Sequence, residues 1–181
     1  GPVAFAPGTI LALEGADATP DAAGTWRFTD RPLRVTYTVR VGDPAPDTTP
    51  VDRWIALPEM SPEVRALAEQ ITGDTDDALV AAPAVEAWLD ASATYTFAPR
   101  DGALDAPVER FLLERREGHC EYFASAAAVL LRLRGHPARI VNGYANPEFN
   151  ALGGYWLARQ GHAHSWVEVR DDAGGWHRFD P

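Results

Sequence analysis

At Gly135 the apolar pattern of this 181-residue chain changes period, and that change restricts the fold more than any other feature. Upstream, apolar residues recur at helical spacing: Phe123, Ala127, Leu130 and Leu131, with Leu133, make one stripe between His119 and Arg134. Downstream they alternate, as half-buried strands do, over 138–144, 154–159, 163–170 and 176–180. Asp171-Asp172-Ala173-Gly174-Gly175 joins the last two as a hairpin loop. Helices followed by short-linked strands predict an α+β fold, with helices packed on a C-terminal antiparallel sheet.

The rest of the chain fits that plan. Residues 3–30 are rich in Ala, Gly, Pro and Asp and read as loop with one edge strand. Val35, Tyr37, Val39 and Val41 alternate with polar residues, which predicts a strand over 33–41. Trp54-Ile55-Ala56-Leu57 reads as another short strand, stopped by Pro58. Ser61-Pro62-Glu63 is a helix start, with an N-cap residue, proline in the first turn and then an acid. A second helix runs from Thr75 or Pro83 to Ala91, and Ala106-Pro107 opens a third. Tyr95-Thr96-Phe97 reads as extended. Gly1-Pro2 reads as the scar of a cleaved tag, 3–60 as a β-rich lead-in and 61–181 as the core.

Composition narrows the function classes. Sixteen basic residues, all arginine, stand against 26 acidic ones, a formal charge of -10. Nucleic acid is therefore not the expected partner, because phosphate backbones call for a basic surface. The absence of lysine alongside many alanines reads as a coding bias. One cysteine excludes an internal disulfide and a multi-cysteine zinc site. The Asp74-Thr75-Asp76-Asp77 run lacks the spacing of a calcium loop. His162 and His164 share a strand face, but too few other ligands converge for a metal site. No metal and no cofactor is expected.

The single cysteine, Cys120, follows Gly118-His119 at the start of the clearest helix. Unpaired amides and the helix dipole favour a thiolate there, and the thiolate is the nucleophile. His164, Trp166 and Glu168 point to one face of their strand. With the five-residue hairpin loop, Arg170 faces Trp176, Glu168 faces Arg178 and Trp166 faces Asp180. Asp180 then lies diagonally from His164, about 7–8 Å away between backbones and within side-chain reach. Glu168 and Arg178 are expected to form a cross-strand ion pair. Cys120, His164 and Asp180 make a candidate thiol triad. Trp166 reads either as core packing or as a wall of the acyl-binding slot.

Several linked motifs carry a resemblance. Gly118-His119-Cys120-Glu121-Tyr122-Phe123-Ala124-Ser125 is followed by Gly135-His136-Pro137-Ala138-Arg139 and Gly143-Tyr144. Ala163-His164-Ser165-Trp166-Val167-Glu168-Val169, Gly175-Trp176 and Phe179-Asp180-Pro181 complete the series. The set resembles the bacterial transglutaminase-like core, and most of all its TgpA-type membrane-anchored members. His136 and Ser165 depart from the usual hydrophobic residue and Ala of that pattern.

The resemblance implies a papain-like fold and cysteine-dependent acyl transfer on protein or peptide amides, through a thioester on Cys120. His164 would be the base and Asp180 its orienting acid. The Cys120 backbone N–H would be one oxyanion donor, and Tyr95, Trp54 and His119 are candidates for a second. Water in place of an amine would make the same site a peptidase or amidase, and loss of turnover would leave a binding module. The resemblance further implies an extracytoplasmic domain of a membrane-anchored protein, monomeric as a fragment. Its substrate would be a protein or peptide, with a cell-envelope component as one option.

Overall fold

In the computed structural model, which describes residues 3–6, 9–21, 24–30, 35–43, 46–98 and 105–181, the chain divides into two units, Gly1–Pro46 and Asp47–Pro181. Among the described residues the first unit holds four short strands: β1 (Ile10–Glu14), β2 (Ala18–Pro20), β3 (Trp26–Phe28) and β4 (Thr38–Val41). β1 pairs antiparallel with β4, and β2 with β3. Three strands thus occupy a stretch that the sequence reads as loop with one strand. Two of them span only three residues, too few for an alternation to register. The ladder also takes up less of 33–41 than the alternation predicts. Leu33 and Arg34 lie outside the described residues, and Tyr37 serves otherwise: its hydroxyl donates to the Phe5 carbonyl at 3.0 Å and accepts the Phe5 N–H at 2.8 Å.

The second unit begins with a correction. Trp54 and Ile55 belong to a four-residue helix, α1 (Asp52–Ile55), and not to a strand. Four apolar letters cannot separate the two periods, and here Trp54 turns inward against the Trp176 ring, 5.1 Å away and edge-on. α2 (Pro62–Thr72) starts where Ser61-Pro62 predicts. The Ser61 hydroxyl makes no cap; the Ser61 N–H instead donates to Glu109 at 2.7 Å. α3 (Ala78–Ser92) is capped by Asp77, which accepts the Leu79 N–H at 2.8 Å, and it carries Pro83 inside its second turn.

Beyond α3 come β5 (Thr94–Tyr95), α4 (Pro107–Arg110) and a π-helical turn, Phe111–Arg115. β6 (Glu117–Gly118) then pairs parallel with β5. α5 (Cys120–Leu133) follows at once. The remaining strands are β7 (Ala138–Tyr144), β8 (Glu148–Asn150), β9 (Tyr155–Leu157), β10 (Ala163–Arg170) and β11 (Trp176–Phe179). β11, β10 and β7 form one antiparallel sheet in that order. β8 and β9 form a separate hairpin between β7 and β10.

The α+β expectation holds, with α5 as the central element. Its buried residues are Phe123, Ala124, Ala126, Ala127, Ala128, Leu130 and Leu131, beside Cys120. The alanines let α5 lie close to β10, whose Val167 and Val169 are buried toward the same core. α2 and α3 complete the cluster through Val64, Ala68, Val85 and Leu89. Each fully buried leucine here contributes about 2 kcal/mol relative to exposure.

His136 sits in the turn between α5 and β7, buried, with its Nε2 lacking a hydrogen-bond partner among the described residues. Burial, reinforced by the Arg134 charge and opposed by Asp76 and Asp77, lowers its imidazole from the ordinary value. The unfolded chain therefore takes the proton more readily than the fold does. The stability that His136 contributes is present above about pH 6.5 and is lost as pH falls toward and through the lowered folded value. Thermal unfolding followed from pH 8 to pH 5 is expected to show this loss, and His136→Leu to reduce it. Equal slopes in both proteins would count against the assignment.

Candidate functional site

Gly118 and His119 bring the chain from β6 directly into α5, so Cys120 is the first residue of a 14-residue helix. The helix dipole and the free amides of its first turn are therefore directed at the cysteine. Cys120 lines a cavity of about 250 Å³ together with Phe97, His119, Glu121, Asn142, Gly143, Ala163, His164 and Ser165. The end of β7 and the start of β10 form the opposite wall. Register explains this placement, because His164 pairs with Gly143 and Ser165 with Asn142. Ser165 Oγ donates to Asn142 Oδ1 at 2.6 Å, which fixes two wall residues to each other.

His164 Nε2 lies 2.6 Å from Asp180 Oδ1. That bond occupies one ring nitrogen and leaves Nδ1 for the cavity. The expected hairpin register is present: Glu168 faces Arg178 and Arg170 faces Trp176. The ladder ends at Val167–Phe179, so Asp180 reaches His164 from just beyond the strand. The Asp180 backbone N–H is itself held, donating to Glu86 Oε1 of α3 at 3.0 Å.

The expected ion pair between Glu168 and Arg178 is not made. In a three-stranded sheet Glu168 has a second cross-strand neighbour, Arg139 on β7, which bonds Glu168 Oε2 through two nitrogens at 2.7 and 2.8 Å. Arg178 turns instead to Asp180 Oδ2 at 2.6 Å and lays its guanidinium over the Trp166 ring, 4.2 Å from the centroid.

The remaining candidates separate. Tyr95 lies beside Cys120, and its ring rests on Phe123. Burial first, then the charge of Cys120, raises the Tyr95 hydroxyl above its usual value, so it stays protonated at neutral pH. His119 lines the cavity, its ring edge-on to Tyr122. Trp54 does not reach the cavity and packs on Trp176. Trp166 lies outside the cavity wall, its ring over Gly143, where a Cβ would come within 2.7 Å. His162 joins Glu148 at 3.7 Å, and His177 joins Asp171 at 2.6 Å. Among the described residues no His, Cys, Asp or Glu cluster could hold a metal ion, and no helix is long and apolar enough to cross a membrane.

Residues 65–181 match the model of the transglutaminase-like superfamily. The chain belongs to that superfamily. Relatives include the uncharacterized protein YebA of Bacillus subtilis (strain 168), 37% identical over 152 residues that make 79% of this chain and 20% of that protein. A protein-glutamine gamma-glutamyltransferase of Pseudomonas aeruginosa is 38% identical over 137 residues, 73% of this chain and 20% of that one. The chain thus spans about a fifth of the length of these relatives. Among solved structures, the periplasmic domain of TgpA from Pseudomonas aeruginosa superposes with a TM-score of 0.85 at 26% identity, covering 99% of this chain and 65% of that one. Together they support cysteine acyl-transfer or protease-like chemistry in broad terms.

Sequence reasoning missed Glu86 and misassigned Arg178. Nothing local to Glu86 announces a contact with Asp180, 94 residues away. Arg178 does carry a signal: it alternates with Asp180 and shares its strand face.

Proposed function

We propose that this domain transfers acyl groups from protein or peptide amides through a thioester on Cys120. One observation carries the reading: Cys120, at a helix N-terminus, shares a cavity with a histidine whose far nitrogen is bonded to a carboxylate. Cys120 gives its proton to His164 Nδ1, and the sulfur attacks the amide carbon. The developing oxyanion meets the Cys120 backbone N–H and the Tyr95 hydroxyl. The C–N bond breaks as His164 returns the proton to the leaving ammonia or amine, and the thioester remains. A primary amine then attacks the thioester, losing its proton to His164, and the sulfur leaves. Asp180 holds the imidazole in place and stabilises its cationic form. The chemistry requires no metal or cofactor.

Hydrolysis is the second reading. The His164 side chain retains 21% exposure, so water can reach the base that would activate it. Incubation with glutamine-bearing proteins and a tagged primary amine decides between them. Label that depends on Cys120 supports amine transfer. Deamidated or cleaved products without label move the assignment to hydrolysis, and an unreacted Cys120 with no product overturns both. We place the domain outside the cytoplasm as part of a membrane-anchored protein, acting on protein or peptide and not on nucleic acid. Its similarity to a periplasmic domain supports the placement outside the cytoplasm.

Tyr95→Phe tests the second oxyanion donor. The aromatic packing against Phe97 and Phe123 is kept and only the hydroxyl is lost. Turnover is expected to fall roughly 10²-fold, with little change in KM. An unchanged kcat would remove Tyr95 from the mechanism.

A further inference from the structure

We propose that Arg178 is a positioning residue: seated on the Trp166 indole, it holds the Asp180 carboxylate turned toward His164. This rests on the Cys120–His164–Asp180 reading above. The two carboxylate oxygens of Asp180 are divided, Oδ1 to His164 and Oδ2 to Arg178, each at 2.6 Å. A carboxylate turns easily about its terminal torsion, which has broad wells, so one bond alone would leave its orientation loose. The second bond fixes it, provided that Arg178 is itself fixed.

The sheet face supplies that provision. The Arg178 guanidinium carbon lies 4.2 Å from the centre of the Trp166 ring. Trp166 is tied by its indole N–H to Glu168 Oε1 at 3.3 Å, and its ring occupies the space that Gly143 leaves open. Glu168 is held in turn by Arg139, whose own guanidinium lies 4.1 Å from the Trp176 ring centre. Planar guanidinium suits this double task of stacking and directed bonding, and a lysine ammonium does not. The groups facing Asp180 are His164 of β10, Arg178 of β11, Glu86 of α3 and Tyr95 of β5.

Arg178 and Asp180 are part-exposed, with 47% and 33% of their side chains accessible. Such a pair adds little to stability. A positioning role and a structural role therefore predict different results. In Arg178→Met we expect kcat to fall ~10–30-fold with KM within about twofold, and the melting temperature to move by less than about 2 °C. Loss of the nearby cation favours the cationic imidazole, so the alkaline limb of the pH–rate profile is expected to move up at low salt. Arg178→Lys is expected to restore the limb but only part of kcat.

The readouts are turnover of a glutamine peptide with a primary amine, the rate of Cys120 alkylation against pH, and NMR titration of the His164 ring. The NMR arm needs no activity. If the wild-type chain shows neither turnover nor Cys120 alkylation, the acyl-transfer reading fails. Arg178 is then judged by whether His164 titrates higher and its ring N–H signal broadens in Arg178→Met. Unchanged kcat and an unchanged His164 titration would overturn the proposal. So would a kcat loss that tracks a large fall in melting temperature equally in both variants.

Discussion

Cys120→Ala is expected to lower turnover by about 10⁴-fold or more while leaving the fold in place. The substitution removes only a sulfur atom, at a position that is already 8% exposed. Its helix is held by Phe123, Leu130 and Leu131, so the stability change should stay near 1 kcal/mol. Thermal unfolding checks that half of the statement. The chemical half is sharpened by Cys120 being the sole cysteine. A haloacetamide can then add only once to the sulfur of each chain, and an acyl adduct seen by intact mass can lie only there. Wild-type protein should be alkylated at Cys120, with His164 taking the thiol proton. His164→Ala should slow that reaction. Residual turnover within tenfold of wild type in Cys120→Ala would mean that the chemistry lies elsewhere.

The site was legible because its parts are local. Cys120 is marked by the Gly118-His119 break before an apolar helix, and His164 by the phase of one strand. The five-residue hairpin loop then fixes the register that carries Asp180 to His164. What was not legible depends on three-dimensional competition. Glu168 has two arginines across from it in the sheet, and sequence phase alone does not say which one it takes. The choice of Arg139 releases Arg178 for Asp180. The contact from Glu86 required the packing of α3 beside β11 to be known. The short strands of the first unit and the four-residue α1 fall below the length at which periodicity distinguishes anything.

Asp180→Asn should separate orientation from charge at this site. The amide oxygen can still accept from His164 Nε2–H, so the ring keeps a partner; cysteine–histidine enzymes with asparagine in this role are chemically competent. Here, however, the other arm of the side chain faces the Arg178 guanidinium, which has donors and no acceptor. An amide NH₂ aimed at that guanidinium cannot bond. Turning the amide over satisfies Arg178 but points its NH₂ at His164 Nε2, which puts the ring proton on Nδ1 and leaves no base facing Cys120. Asp180→Asn is therefore expected to lose roughly 10²–10⁴-fold in kcat. Removing Arg178 in the same chain should recover part of that loss, although Arg178→Met alone is harmful. The double-mutant cycle must then be non-additive with a sign that relieves Asp180→Asn. Strict additivity would show that Arg178 and Asp180 do not act through one another, whatever their distance in the fold.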